Sequence, residues 1–129
     1  MFAYVAAALG GALGALARWG VAEALPHDAA GWPWATLLVN LTGCLVLGAL
    51  VGAVFVRPAV PAWLRPFLGT GVLGGFTTYS AFAVETVRLT DVGRPGVALG
   101  YVLASVAGGL TASALGVAAA TRVAEGTTA

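Results

Sequence analysis

Residues 69–80 read Gly-Thr-Gly-Val-Leu-Gly-Gly-Phe-Thr-Thr-Tyr-Ser and lie in an uncharged stretch of the chain. Glycine, β-branched and hydroxyl residues are poor helix formers, so we expect a helix through this segment to break between Gly74 and Thr78. A break at membrane depth is tolerated only where it is buried or lines a cavity, because its freed backbone groups need partners. Freed carbonyls suit a small cation, and freed amides suit an anion. The alternative is a glycine kink whose backbone groups are satisfied by neighbouring hydroxyls.

The uncharged stretch around this segment is one of four. The chain has 129 residues, of which 60% are hydrophobic and 9% are charged, whereas soluble proteins carry about 25% charged residues. Runs without Asp, Glu, Lys or Arg cover residues 1–17, 29–56, 66–84 and 95–121. Each run is near or above the roughly 18 apolar residues of a membrane-spanning helix. With a net charge of +1, the chain also lacks a basic patch for nucleic acid. The composition excludes a soluble enzyme, a nucleic-acid binder and a disordered chain.

The polar segments between these runs set the expected limits of the spans. We expect a single four-helix transmembrane domain over residues 1–129, with spans at 2–25, 33–56, 63–90 and 94–122. We expect no cleaved signal peptide, because three further spans follow the first. The predicted fold class is therefore an all-α membrane protein whose third helix is broken in mid-membrane. The four tryptophans and Tyr101 are expected near the membrane interfaces.

Small residues recur at intervals of four along the spans. Examples are Gly10 with Gly14, and Gly48 with Gly52, and this spacing predicts helices that approach each other closely. Cys44 is the only cysteine, so we expect neither a disulfide framework nor a thiolate metal site. The single histidine, His27, lies in a polar connection and is expected to be an exposed loop residue.

All six basic residues are arginines, and their distribution bears on orientation in the membrane. With four spans, one side of the membrane receives Arg57, Arg65 and Arg122, and the other receives Arg18, Arg88 and Arg94. An excess of Lys and Arg in short loops normally fixes which side stays cytoplasmic, so this even split suggests insertion in both directions. The alternative is that Arg18 or Arg88 lies inside a span and should not be counted.

Polar residues inside the spans also recur at helical spacing, and together they form a predicted polar track. Its members are Thr36 and Asn40 on span two, Tyr79, Phe82 and Glu85 on span three, and Tyr101, Ser105 and Gly109 on span four, with Thr111 and Ser113 further along. The track has no full positive charge, so a large, weakly hydrated anion gains little from it. A small anion can be held there by hydrogen-bond donors and by electropositive ring edges. Glu85 is the only carboxylate expected within a span, which makes it a functional candidate. The alternative is that these polar groups only join helices.

Three segments of the chain resemble a known family. Residues 10–18 (GGALGALAR), 36–43 (TLLVNLTG) and 71–82 (GVLGGFTTYSAF) resemble, in order, the signature segments of the Fluc family of small bacterial fluoride channels. The resemblance implies an antiparallel, dual-topology homodimer with two fluoride pores, embedded in the lipid bilayer of the bacterial inner membrane. It implies passive export of toxic fluoride, with no enzymatic activity. It also implies one structural Na⁺ at the dimer centre, bound by backbone carbonyls.

The resemblance also assigns residues to the pore and to the cation. The pore asparagine of the family falls on Asn40, its paired phenylalanines on Tyr79 and Phe82, and its span-three glutamate on Glu85. The polar residues of span four fall on Tyr101, Ser105 and Thr111, and the Na⁺ carbonyls on Gly74 and Thr77. This sequence departs from the pattern at Tyr79, which adds a hydroxyl, at Ala81, which removes one, and at Gly109, where some relatives carry serine. These departures bear on local hydration and rate.

Two other functions compete with a fluoride channel. A small dual-topology multidrug or cation exporter also has four helices, but it needs a carboxylate deep in its first span to exchange protons for its substrate. Span one here has no carboxylate before Glu23. A non-transporting assembly subunit would carry no flux at all.

Overall fold

A computed structural model of the chain describes residues 1–55 and 60–126. Within these residues every regular element is helical. The elements are α1 (Phe2–Ala24), α2 (Trp34–Leu50) with a π-helical continuation (Val51–Phe55), a π-helical segment (Pro66–Leu73), the short α3 (Gly74–Phe76), α4 (Tyr79–Asp91) and α5 (Pro95–Gly126). The π-helical segment runs directly into α3, and α4 follows after two extended residues.

Four stretches of this structure are long and apolar enough to cross a membrane: Phe2–Ala24, Trp34–Val54, Pro66–Asp91 and Pro95–Val123. Large apolar side chains point outward from them, as at Phe2 and Leu110, which are 83% and 70% exposed. Such a surface is stable in lipid and unfavourable in water. The predicted all-helical architecture with four spans is confirmed.

The helices pack in two close pairs. The first span, α1, lies along the π-helical segment and α3, while α2 lies along α5. Gly10 and Gly14 meet the backbone carbonyls of Phe67 and Val72 so closely that an added Cβ would collide with them. Gly48 of α2 meets the backbone of α5 in the same way. The predicted close approach at these glycines is confirmed, and it explains why small residues recur at this spacing.

The turn between α4 and α5 is closed by backbone hydrogen bonds. Gly93 has a positive φ of 77°, its N–H donates to the Thr90 carbonyl at 3.0 Å, and the Arg94 N–H donates to the Leu89 carbonyl at 2.8 Å. This pair of bonds is a Schellman motif, in which glycine takes the left-handed position without a steric penalty. Pro95 then begins α5, at a position where its missing N–H costs nothing. The turn folds α5 back against α4.

A small buried cluster joins α2, α4 and α5. It consists of Leu37, Leu89, Ala98 and Tyr101. Tyr101 is 0% exposed, so it packs inside the protein and its ring does not face the surrounding lipid. Its phenol can be buried because the hydroxyl donates a hydrogen bond to Glu85.

The structure alters the arginine count that bears on orientation. Arg18 lies inside α1, and its Nε donates to the Gly75 carbonyl at 3.2 Å, so it belongs to the helix bundle and not to a loop. Arg88 is exposed near the end of α4, and Arg57 lies outside the described residues. Without Arg18 the split is two (Arg88 and Arg94) against three (Arg57, Arg65 and Arg122), which remains nearly even.

Candidate functional site

The third span is interrupted at Thr77 and Thr78, inside the predicted interval, and we call this interruption the break. Thr77 has a ψ of 159° and Thr78 a φ of −148°, both extended. Asn40 of α2 binds both backbone groups of Thr78: its Nδ2 donates to the carbonyl at 2.9 Å, and its Oδ1 accepts from the N–H at 2.8 Å. A primary amide matches these two groups because it carries a donor and an acceptor side by side. Asn40 therefore stabilises the extended backbone at the break. The second N–H of its amide makes no bond to Thr78.

Two carbonyls at the break lose their helical partners. In a continuous helix the Gly74 carbonyl would accept from the Thr78 N–H, and the Thr77 carbonyl from the Ala81 N–H. Both N–H groups donate elsewhere, the first to Asn40 Oδ1 at 2.8 Å and the second to Thr78 Oγ1 at 3.2 Å. Gly74 and Thr77 are thus among the residues whose carbonyls lose their helical donors at the break, and they are the two that the family resemblance assigns to a cation.

The chemistry of these carbonyls fits a small monovalent cation. Carbonyl oxygens are hard ligands without net charge. An unpaired carbonyl in the hydrocarbon of a membrane costs roughly several kcal/mol. Across residues 1–55 and 60–126, no group of three or more His, Cys, Asp or Glu side chains is placed to hold a metal. Neutral backbone oxygens at Gly74 and Thr77 are therefore the ligands that the break offers.

Arg18 of α1 binds a backbone carbonyl on the N-terminal side of the break. Its Nε–H donates to the carbonyl of Gly75, which in a continuous helix would accept from the Tyr79 N–H. The guanidinium thus satisfies one carbonyl freed by the interruption and places a positive charge close to it. The sequence predicts no role for Arg18 at the break, although a lone arginine in an apolar run was a signal for one.

Aromatic rings lead from the break toward α5. The centroids of Tyr79 and Phe82 lie 5.8 Å apart, and those of Phe82 and Tyr101 lie 5.4 Å apart. Tyr79 is 80% exposed, whereas Tyr101 is fully buried. The row therefore runs from the surface of the chain into its interior, and its ring edges carry partial positive charge.

Glu85 ends this row of rings. Its Oε1 accepts a hydrogen bond from the Thr36 hydroxyl, and its Oε2 accepts one from the Tyr101 hydroxyl, each at 2.7 Å. These short bonds to an ionisable carboxyl join α2, α4 and α5 at one point. Thr36 was predicted on the polar track but was not among the assigned pore residues. Its spacing of four from Asn40, which places both residues on one face of α2, was the sequence signal for its position.

A cavity of about 460 Å³ lies beside the break, and we call it the break cavity. Polar and aromatic residues of three spans line it, among them Asn40, Thr77, Thr78, Tyr79, Phe82 and Ser105. The Ser105 Oγ is inaccessible to water and has no hydrogen-bond partner within the described residues. A buried hydroxyl without a partner is costly, so Ser105 is an unsatisfied polar group in the wall of the cavity.

Three assigned pore residues, Glu85, Tyr101 and Thr111, do not line the break cavity. Glu85 and Tyr101 are bonded to each other at the end of the row of rings, whereas Thr111 lies apart from both. It is exposed on α5, and its hydroxyl donates to the Ala107 carbonyl one turn back. Gly109 lies opposite Cys44, whose Sγ would sit 3.4 Å from a Cβ placed at residue 109. The serine that some relatives carry at this position would therefore contact Cys44.

The fold and this site define a small multi-pass membrane protein with a line of polar and aromatic side chains between its helices. Residues 5–117 match the family model described as CrcB-like protein, Camphor Resistance (CrcB), and the chain belongs to this family.

Several curated relatives are similar over most of their length. The chain is 44% identical to a protein of Bordetella petrii named fluoride-specific ion channel FluC, over 91% of this chain and 90% of that protein. It is 48% identical to a protein of the same name from Paracoccus denitrificans, over 80% and 82% of the two chains. A Thermobifida fusca protein, fluoride-specific ion channel FluC 2, is 47% identical over 83% and 79%. The resemblance stated from the sequence is confirmed.

Proposed function

We propose that this protein is a fluoride-selective channel that carries fluoride passively out of the cell across the bacterial inner membrane. The observation that carries the proposal is the close similarity to proteins named fluoride-specific ion channels, over nearly the whole of both chains. Passive conduction involves no chemical conversion, so the proposed function is not enzymatic. The proposed unit is one four-helix transmembrane domain.

The geometry along the polar track supports a small anion as the permeant ion. The Asn40 amide has a second N–H that makes no bond to Thr78, and the Ser105 hydroxyl, in the wall of the break cavity, has no partner within the described residues. The ring edges of Tyr79 and Phe82 add weakly positive surfaces between them. Fluoride is small and accepts strong hydrogen bonds, so it gains more from such donors than a large, weakly hydrated anion does. The proposed pathway comprises Asn40, Tyr79, Phe82, Glu85, Tyr101, Ser105 and Thr111.

The exposure of the site supports assembly as an antiparallel homodimer of dual topology. Tyr79 is 80% exposed although it heads the row of rings, and Thr111 is exposed on α5. Contact with a second copy would bury these exposed pathway residues, and the proposed dimer contains two equivalent pores. The nearly even arginine split is consistent with the insertion of copies in opposite orientations.

A small multidrug or cation exporter is less well supported. Its proton exchange needs a carboxylate deep in the first span, but Glu23 is exposed and lies one residue before the end of α1. Glu85, the carboxylate inside a span, accepts two hydrogen bonds from neighbouring hydroxyls and lies on α4.

Flux from liposomes tests the proposed function directly. Purified protein should dissipate a fluoride gradient, measured with a fluoride electrode in the presence of valinomycin, while a chloride gradient in the same vesicles stays intact. Equal loss of chloride would contradict selectivity. Absence of fluoride flux from protein that is monodisperse would favour the assembly subunit.

The carbonyls of Gly74 and Thr77 are the proposed ligands of a structural Na⁺ at the dimer centre. Two carbonyls from each chain would form a cage of four neutral oxygens, which suits a monovalent ion better than a divalent one. Bound there, the ion would satisfy carbonyls that the break has deprived of helical donors. Its proposed contribution is structural.

Replacing Na⁺ with N-methylglucamine is expected to lower the melting temperature of the protein and its fluoride flux, because an ion that binds only the folded dimer stabilises it. Thr77→Val keeps the carbonyl and the β-branched shape, so its response to Na⁺ should match wild type. Gly75→Val should be more harmful, since its Cβ would collide with the Gly11 carbonyl of α1. Unchanged stability and flux in Na⁺-free medium would refute the ion's role.

A reporter fused after Ala129 is expected on both faces of the membrane, because the flanking arginines are nearly balanced. Two arginines added between residues 26 and 31 should shift the population to one orientation. That variant should lose activity unless a variant of opposite bias is co-expressed. Labelling of the unmodified protein on one face alone would contradict dual topology.

A further inference from the structure

A second cavity lies at the far end of the polar track from the break, and we call it the loop cavity. Its volume is about 170 Å³, and it is lined by His27, Gly31 and Pro33 of the α1–α2 connection and by Glu85 and Arg88 of α4. Glu85 therefore belongs to both features. Its carboxylate oxygens accept hydrogen bonds from Thr36 and Tyr101 on the polar track, and the residue also lines the loop cavity.

The wall formed by the connection is held in place by hydrogen bonds. The Arg94 guanidinium donates to the Ala30 carbonyl at 2.9 Å, and the Gly31 N–H donates to the Asp28 carbonyl at 2.8 Å. Arg94 itself sits in the closed turn after α4. The first of these bonds joins the α1–α2 connection to the turn after α4 beside the loop cavity.

The charge of Glu85 poses a problem for an anion path. A carboxylate repels an anion at short range, and its two hydrogen-bond donors, both hydroxyls, are neutral. Arg88 follows Glu85 by three residues on α4, which places the two side chains on the same face of the helix. Both line the loop cavity, so Arg88 brings a positive charge to the cavity wall that also carries the carboxylate.

We propose that the loop cavity is the mouth of the anion path at the Glu85 end, and that Arg88 draws fluoride into it by offsetting the charge of Glu85. This inference rests on the proposed channel function. His27 adds a ring with hydrogen-bonding nitrogens on the opposite wall, and Arg88 supplies the long-range attraction. A charged group of this kind raises the rate of anion entry, and salt weakens its effect.

Fluoride efflux from liposomes at two ionic strengths tests the inference. Arg88→Gln removes the charge, and Arg122→Gln is the matched control, because Arg122 is exposed on α5 and does not line the cavity. At low fluoride, Arg88→Gln should slow efflux about threefold or more at about 0.01 M ionic strength and less than about twofold at about 1 M potassium gluconate. Arg122→Gln should match wild type at both ionic strengths.

Two further variants separate charge from structure. Arg88→Lys keeps the charge and should keep the salt dependence of wild type. Glu85→Gln combined with Arg88→Gln should restore part of the efflux lost in Arg88→Gln at low salt, because the repelling carboxylate is also gone. A loss in Arg88→Gln that is equal at both ionic strengths, or no loss at either, overturns the inference.

The wild-type protein distinguishes the failure of this inference from the failure of the proposed function. Wild-type vesicles without fluoride efflux contradict both. Wild-type efflux together with an Arg88→Gln variant of unchanged salt dependence contradicts only the role of Arg88. If Arg88→Gln is not monodisperse, the salt dependence of efflux is compared between Arg88→Lys and wild type. Loss of the salt dependence in Arg88→Lys, which retains the charge, overturns the proposal.

Discussion

Asn40→Asp is expected to reduce fluoride flux about a hundredfold or more, which corresponds to about 2.7 kcal/mol in the barrier. Aspartate cannot donate to the Thr78 carbonyl as Asn40 Nδ2 does at 2.9 Å, so that carbonyl is left without its partner and faces a carboxylate oxygen. An unsatisfied buried acceptor alone costs roughly 1–3 kcal/mol. A negative charge beside the anion path adds repulsion. Initial rates of efflux from liposomes measure the effect.

Asn40→Ala is the matched comparison, because it removes the amide without adding a charge. It should lose flux to a smaller extent than Asn40→Asp, and the difference between the two variants reports the charge. Size-exclusion profiles of both proteins establish that they remain assembled. Flux in Asn40→Asp within about twofold of wild type, about 0.4 kcal/mol, would remove Asn40 from the pathway.

Gly14→Val is expected to destabilise the folded protein by about 3 kcal/mol or more, because overpacking against rigid neighbours is costly. A Cβ at Gly14 would collide with the Val72 carbonyl and would lie 2.8 Å from the Phe76 N–H. Both obstacles are backbone atoms of the segment leading into the break, so neither can rotate away. The yield of monodisperse protein and its melting temperature measure the loss.

Gly20 provides the control on the same helix. Nothing lies within 4 Å of a Cβ placed there, so Gly20→Ala should be as stable as wild type or slightly more so, since alanine favours the helix. A Gly14→Val protein that melts with wild type would show that α1 and the π-helical segment are not packed as described.

Much of this fold could be predicted from the sequence because its signals are local. Four charge-free runs, a glycine-rich segment and a spacing of four between small residues each act over one or two helical turns. The break lies inside the predicted interval for the same reason, since Thr77 and Thr78 follow directly on the glycines.

The partners of the polar residues were harder to predict, because they depend on how distant helices pack. Asn40 and Thr78 are 38 residues apart in sequence, and Arg18 and Gly75 are 57 apart. Composition and periodicity assign each of these residues to a span but do not identify its partner on another span. The burial of Tyr101 was missed for the same reason: its hydroxyl bonds to Glu85, which lies on another helix.

The bond between Asn40 and Thr78 has a consequence for how the protein assembles. Asn40 bonds only to the main chain of Thr78, so a side chain on α2 acts together with the glycines and threonines of the third span in setting where the interruption lies. The glycines and the Thr78 cap give the isolated third span a tendency to break. The shape of the third span in the folded protein therefore depends on its contact with α2.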